Sequence, residues 1–141
     1  MGRLVGAAAL LLGAGCARVD LAPSGPALEP GPGEAVVYFF RPNTLLGQGV
    51  NFTVHEGDAV LGAVAPGTYF RVVVPAGPHR FHAETWGAAA ITVNLGSGET
   101  AWVETTLDGT AVGLAPRLER VGASRWEDVR RGLRRGELVR G

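Results

Sequence analysis

The chain has 141 residues, the size of one ordinary domain, and 46% of them are hydrophobic, enough to form a core. Thirteen basic residues balance thirteen acidic ones, so the net charge excludes the strong positive field of a nucleic-acid-binding protein and the charge excess of a disordered acidic tail. The 22 glycines and 9 prolines indicate many turns between short strands.

The N-terminus has the pattern of an export signal. Residues 1–3 include one arginine, residues 4–12 are an almost unbroken apolar run, and small residues then lead to Cys16, the only cysteine. About a dozen apolar residues cannot span a bilayer, which needs roughly 20 in helical form. The sequence therefore predicts a signal peptide over residues 1–15 and not a transmembrane helix.

Two interpretations of Cys16 are open. It is either part of a discarded leader that is cleaved after Ala17, or the lipidated cysteine of a lipobox, with Gly13 where a leucine is usual. Lipidation also explains why an exported chain has a single cysteine, which cannot form an internal disulfide. It predicts a lipid-anchored protein of the cell envelope. Because Ala17 and not aspartate follows Cys16, the bacterial sorting pattern favours the periplasmic side of the outer membrane.

Residues 16–33 are predicted to be a tether between the anchor and the folded domain. Four prolines and three glycines lie in residues 17–33. Such a segment buries too little surface to fold, and in polyproline geometry, at about 3.1 Å per residue, it would reach about 50 Å.

From residue 34 the hydrophobic period becomes two. Residues 35–41 are apolar on both faces, which predicts a central strand covered on each side. Residues 51–56 and 59–64 flank Gly57-Asp58, a two-residue hairpin turn, and Asp108-Gly109 is the strongest hairpin signal of the chain. Further strands are predicted over residues 68–74, 79–85, 89–95, 99–107, 110–114 and 117–121.

Strands at this spacing without intervening helices predict an all-β domain over residues 34–122. We expect an antiparallel β-sandwich of the immunoglobulin or prealbumin-like type. One short helix with an arginine-rich tail is predicted within residues 123–141. Ser124 and Glu127 would form its capping box, and Trp126, Val129 and Leu133 would share its apolar face.

The stretches VVYFFRP, GTYFRVVVPAGPHRF and ITVNLGSGETAWVE give the chain a resemblance over residues 34–121. It resembles an uncharacterised bacterial lipoprotein domain family of unknown function, whose features are a Tyr-Phe-aromatic-Arg-Pro start, a Gly-x-Tyr-Phe strand, a Pro-Gly-x-His turn and a Gly-x-x-aromatic strand. The third feature is shifted here to Ala76-Gly77-Pro78-His79. The resemblance implies export and a compact β-sandwich, and it supplies no catalytic residues.

Catalytic chemistry has little support in the sequence. His79 and His82 lie three apart on one strand and so point to opposite faces, and a metal site at His82 would need further ligands such as His55. We expect His79 to tie its turn to a neighbouring strand. The three serines occupy the tether, a turn and the helix start, without a nucleophile-elbow pattern. The sequence therefore predicts no enzyme, no metal and no cofactor.

Two groups of residues are candidates for binding. The loop at residues 42–50 holds Leu45 and Leu46, and it is either a contact surface or a cap on one end of the sandwich. Outward-facing Trp86 and Trp102 either form an aromatic platform for a sugar or a protein, or cover the sheets and receive the helix.

Residues 124–141 contain six arginines and three acids, a local charge of +3. Their cluster either complements the helix dipole or contacts anionic phospholipid. Its members are Arg130, Arg131, Arg134 and Arg135.

The function that these patterns predict is a lipid-anchored envelope protein acting as a non-catalytic binding or structural module. Its expected partners are the membrane, through the anchor, and an envelope protein or glycan, but not nucleic acid. The alternative is a small-ligand carrier with a pocket in or at the end of the sandwich, and a third possibility is an envelope hydrolase or metal-binding protein.

Overall fold

The structure is a computed structural model, which describes the backbone of residues 18–19 and all of residues 29–135. The predicted signal peptide, Cys16 and the end of the arginine-rich tail lie outside the described residues. The strands are β1 (Arg18–Val19), β2 (Glu34–Arg41), β3 (Phe52–Glu56), β4 (Ala59–Val64), β5 (Thr68–Pro75), β6 (Gly77–Glu84), β7 (Ala88–Leu95), β8 (Thr100–Thr110), β9 (Gly113–Val121) and β10 (Arg134–Arg135). One helix, α1 (Ala123–Val129), is followed by a 3-10 turn, Arg130–Gly132.

The strands form two packed sheets, so the all-β sandwich is confirmed. The first sheet has the order β1-β5-β2-β8-β9, and β10 also pairs with the outer edge of β5; the second has the order β4-β3-β6-β7. The sequence predicted wholly antiparallel pairing, but β2 pairs with β8 in parallel, and so does the short β10 with β5. Hairpin signals report only neighbouring antiparallel strands, whereas β2 and β8 are brought together from distant parts of the chain.

The chain passes between the two sheets at Ala76, the single residue that separates β5 from β6. The core lies between the sheets and contains three packed phenylalanines. The Phe39 ring stacks on Phe70 at 5.1 Å and meets the edge of Phe81 at 5.0 Å, between ring centroids. Buried and exposed side chains alternate along β7 as predicted, with Val93 and Leu95 buried.

The two predicted hairpin turns have different outcomes. Gly57-Asp58 does join β3 to β4, and Gly57 has a positive φ of 57°. Asp108-Gly109 does not turn: Asp108 pairs with Ala115, and the turn lies at residues 111–112. The strand pairing continues past Asp108, and the Thr110 hydroxyl donates to the Gly113 carbonyl oxygen at 2.8 Å to close the hairpin. The strand predicted over residues 110–114 is therefore divided by the turn, and its last two residues join the predicted strand 117–121 in one strand, β9.

The C-terminal helix is shorter than the sequence predicted. Its N-cap is Gly122, without a side-chain cap, so Ser124 is a residue within the first turn and not the first half of a capping box. Trp126 is buried, and the α-helix ends at Val129. Leu133 lies beyond the 3-10 turn in extended backbone, although it remains half-buried.

The predicted tether contains a piece of the sheet. Within residues 16–33, Arg18 and Val19 form β1, which pairs antiparallel with Val73 and Val72 of β5. Gly33 is also bound to the domain, because its carbonyl oxygen accepts from the Ala76 N–H at 2.7 Å. The prediction of an extended tether is therefore wrong for these residues, since the open edge of β5 offers backbone partners that composition alone does not reveal.

Candidate functional site

Three loops lie at the same end of the sandwich. β2 and β8 are parallel, so the segments that follow them, residues 42–50 and 111–112, leave the same end of the first sheet. β6 starts where β5 ends and β5 is antiparallel to β2, so residues 85–87 after β6 also leave this end. The Thr85 hydroxyl confirms the proximity by donating to the Leu114 carbonyl oxygen at 2.5 Å. We call these three loops the loop end.

The loop end carries the exposed large apolar side chains of the described part of the chain. The exposed fraction is 94% for Leu45, 51% for Leu46, 67% for Trp86 and 79% for Val112. Single exposed apolar residues are ordinary on a protein surface. Four of them at one end, with none elsewhere in residues 29–135, mark a candidate contact surface.

The loop at residues 42–50 is held down by Arg41, the last residue of β2. Its side chain is buried, and its guanidinium donates to the carbonyl oxygens of Val50 at 2.5 Å and Gly47 at 2.8 Å. It also lies over the Phe52 ring, with the guanidinium carbon 5.5 Å from the ring centroid. Burial lowers the pKa of Arg41 from its ordinary value. The sequence alone did not predict a role for Arg41, although an arginine at the end of an apolar strand was an available signal.

Gly47 makes the clamp possible. It has a positive φ of 81°, and a Cβ there would lie 2.5 Å from Leu107 Cδ1 and 2.8 Å from Arg41 Nη2. Only glycine fits this position without a shift of its neighbours. The loop thus has two parts: Gly47 and half-buried Val50 close the sandwich, as the cap alternative predicted, whereas Leu45 and Leu46 are exposed to solvent.

Trp86 lies across the tip of the β8–β9 hairpin. A Cβ on Gly113 would be 3.2 Å from the Trp86 ring, which shows how closely the indole covers this backbone. Beside it, Val50, Asn51 and Glu84 help to line an open depression of about 250 Å³. The depression joins Trp86 to the end of the 42–50 loop.

Trp102 is not part of this surface. It pairs with Val121 at the far end of the β8–β9 hairpin and lies on the outer face of the first sheet, where it stacks on Tyr38 with centroids 6.5 Å apart. The structure therefore does not bring Trp86 and Trp102 together into one aromatic platform. Trp102 belongs to the surface on which α1 packs.

The helix packs on that face through Trp126. Its ring lies 4.9 Å from Tyr38 and 5.4 Å from both Phe40 and Tyr69, measured between centroids. These residues, and neither Trp86 nor Trp102, make its aromatic contacts. Arg125 adds a bidentate bond to the Glu104 carboxylate at 2.7 and 2.9 Å, and this bond raises the pKa of Arg125.

The predicted arginine cluster surrounds the end of α1. Arg130 pairs with Glu127 at 3.2 Å, and Arg135 is half-buried. Arg131 and Arg134 are exposed, and neither forms an ion pair with a residue in the described ranges. Arg134 lies in β10 beside Thr68, and its backbone N–H donates to the Gly67 carbonyl oxygen at 2.9 Å.

A depression of about 320 Å³ opens within this cluster. Tyr69, Trp126 and Leu133 form its apolar and aromatic lining, and Arg130 and Arg131 supply its positive charge. Because the sequence placed all four arginines on one helix, it did not predict that β10 would set Arg134 beside the Pro66-Gly67 turn. Parallel pairing with β5 decides that position.

The three histidines have structural partners. His79 Nδ1 lies 2.5 Å from Glu56 Oε2 and its Nε2 lies 2.6 Å from the Pro75 carbonyl oxygen. His79 thus ties the end of β5 to β3, and the expected tie to a neighbouring strand is confirmed. His55 and His82 are cross-strand partners on the outer face of the second sheet, with rings stacked at 5.2 Å.

The described residues contain no group of three or more His, Cys, Asp or Glu placed to hold a metal ion. Ser97 Oγ accepts from the Gly33 N–H at 3.1 Å, and Ser124 is exposed on α1. Another open depression, of about 420 Å³ on the outer face of β6 and β7, is lined by Arg80, His82, Glu84 and several alanines. It lies outside the sandwich and not between the sheets.

Within residues 18–19 and 29–135, no helix is both long enough and apolar enough to cross a bilayer. Compared with models of known protein families, with characterised proteins and with solved structures, the chain has no significant match.

Proposed function

We propose that the chain is a lipid-anchored protein of the bacterial cell envelope that acts without catalysis, by binding through the loop end. The sequence around Cys16 supports the anchor: a short positive segment, an apolar run and small residues precede the single cysteine. The resemblance of residues 34–121 to a lipoprotein domain family points to the same compartment, and Ala17 favours the outer membrane.

The binding function is supported by a contrast between two groups of side chains: those that form bonds within the domain and those of the loop end that are exposed to solvent. The buried Arg41 side chain is bound to loop carbonyls, and His79 is bound to a carboxylate and a carbonyl. These groups hold the domain together. The exposed apolar side chains of the loop end make no comparable contribution to the core, and large exposed apolar clusters are typical of interaction sites.

Mass spectrometry of the membrane-extracted protein tests the anchor. We expect a mature N-terminus at Cys16 with acyl chains on its thiol and amine. Cys16→Ser should move the protein into the soluble fraction after a high-salt wash, which removes proteins held by charge alone. An unmodified chain that begins after Ala17 would contradict the anchor.

Photo-crosslinking in intact cells tests the loop end. A photoreactive residue in place of Leu45 or Trp86 should give discrete adducts, whereas the same residue in place of exposed Thr92 on the second sheet should not. Equal adducts at all three positions would contradict a dedicated contact surface. The control position keeps the anchor and the fold unchanged.

A further inference from the structure

We propose that one corner of the domain is a membrane-contact surface that binds anionic phospholipid. The corner lies where the outer edge of β5 meets the loop end. Arg131 and Arg134 meet headgroup phosphates there, and Leu45 and Leu46 enter the boundary between headgroups and acyl chains. The inference rests on the proposed anchoring at Cys16 and identifies the bilayer as a partner of part of the loop end.

The Pro66-Gly67 turn brings the two sets of side chains together. A Cβ on Gly67 would lie 3.4 Å from Asn43 Cβ and 4.0 Å from the Gly132 carbonyl oxygen. Asn43 begins the loop that presents Leu45 and Leu46, and Gly132 lies between Arg131 and Arg134. One turn therefore contacts both the apolar loop and the arginine segment.

The charge at this corner is suited to phosphate. Arg131 and Arg134 are exposed and form no ion pair within residues 29–135, while Arg130 is bound to Glu127. Arg131 also lines the depression above Tyr69 and Trp126, where an aromatic floor and a guanidinium rim can take a headgroup. Residues 123–135 contain five arginines and two acids, Glu127 and Asp128, so positive charge exceeds negative charge over this segment.

The position of β1 sets the separation between the corner and the proposed anchor. β1 pairs with β5 at Val72–Val73, on the same outer edge that β10 joins at Thr68–Tyr69. Because Arg18 lies opposite Val73, five residues along β5 from Thr68, about 17 Å separates β1 from the corner. Cys16 precedes Arg18 by two residues, so covalent geometry keeps its Cα within about 7 Å of the Arg18 Cα. An edge held by a lipid toward one end and by arginines and leucines at the other is the arrangement of a two-signal membrane contact.

The test uses residues 16–141 with Cys16→Ser, which keep every described strand but cannot be lipidated. We expect binding to vesicles of phosphatidylglycerol mixed with phosphatidylcholine, little binding to phosphatidylcholine alone, and release as salt is raised. Arg131→Gln with Arg134→Gln should weaken binding about 25-fold, because each arginine near an anionic surface contributes about 1 kcal/mol and 1.4 kcal/mol is a factor of ten.

Matched controls separate this corner from general charge and from the rest of the loop end. Arg80→Gln with Arg117→Gln removes the same charge from other exposed positions and should leave most of the binding. Leu45→Ser with Leu46→Ser should weaken binding. Val112→Ser should not, since β9 lies three strands from β5, about 14 Å. Thermal unfolding of each variant shows that the fold is kept.

Three results would overturn the proposal: equal binding to neutral vesicles, equal losses in the two double-arginine variants, or no vesicle binding at all, which would leave an acidic protein surface as the partner of the arginines. None of them bears on the anchor, because the vesicle assay uses an unlipidated chain. Conversely, an unacylated Cys16 in cells would remove the proposed anchor and leave the vesicle result intact.

Discussion

The two sheets differ in how many of their faces are covered. In the first sheet, β2 is buried on both sides: Phe39 faces the core, and Phe40 faces outward under Trp126 of α1. In the second sheet, β6 is buried on one side only, with Phe81 inward and Arg80 exposed to solvent. A strand with two apolar faces requires a second covering layer, whereas an alternating strand can face water. The apolar outer face of the first sheet therefore decides where α1 packs.

Removal of the Trp126 side chain, which packs α1 on the first sheet, should have the largest effect on stability. Trp126→Ala is expected to lower the free energy of unfolding by about 4 kcal/mol, because a buried aromatic ring is lost from the Tyr38 and Phe40 surface. The matched control, Trp86→Ala, removes an exposed indole from the other surface and should cost about 0.5 kcal/mol. Urea unfolding measures both. Equal losses would mean that α1 does not stabilise the first sheet.

Arg41 links the first sheet to the loop that leads into the second. Arg41→Met should lower the free energy of unfolding by about 3 kcal/mol, because the carbonyl oxygens of Gly47 and Val50 lose a charged donor in a buried site. The Val50 amide, which donates to Gly47, should exchange its hydrogen faster. Arg80→Met, on the exposed face of the second sheet, is the control and should change neither quantity; an unchanged Val50 amide in the Arg41 variant would contradict the clamp.

The close packing of the two sheets against each other can be tested at Gly62 of β4. A Cβ there would lie 3.0 Å from the Phe70 ring of the first sheet, so the missing side chain lets the ring pack directly on the strand. Gly62→Val should cost about 2 kcal/mol through overpacking. Ala63→Val, one residue along and half-exposed, adds a similar volume on the other face and should be nearly neutral. A neutral Gly62→Val in chemical denaturation would show that the sheets can separate freely there.

The smallest expected effect concerns the ion pair that holds α1 to β8. Arg125→Gln should cost about 0.5 kcal/mol, since the Arg125 side chain is partly exposed and solvent screens the pair. Arg117→Gln breaks the fully surface-exposed pair with Glu119 and should change nothing measurable. The difference between the two variants should shrink as salt is raised. A difference that is independent of salt would contradict an electrostatic origin.

Strand positions followed closely from the hydrophobic pattern. The two apolar faces of residues 35–41 indicated a covered central strand. The alternation of apolar and polar residues over 89–95 indicated a strand with one solvent-exposed face. Both patterns arise because successive side chains of a strand point to opposite faces of the sheet. The burial of each face can therefore be predicted from alternate positions in the sequence. The spacing of Trp126, Val129 and Leu133 predicted one apolar helix face from the helical period; Trp126 is buried, whereas Leu133 lies beyond the end of the helix.

The pairing of distant strands was decided only in three dimensions. The parallel contact of β2 with β8 and the addition of β1 and β10 to β5 depend on partners far apart in the chain. A local turn signal such as Asp108-Gly109 is overridden when the strands on either side gain more from continued pairing.

The sequence by itself determined the strand periods and the candidate anchor at Cys16, because each depends on residues that are neighbours in the chain. Only the tertiary structure decided that Arg41 would hold a loop, that Trp102 would lie apart from Trp86, and that Arg134 would lie beside the turn that contacts Asn43. The physical reason is that hydrogen-bond partners and charge neighbours are set by strand order, and strand order minimises exposed backbone and apolar area over the whole domain at once.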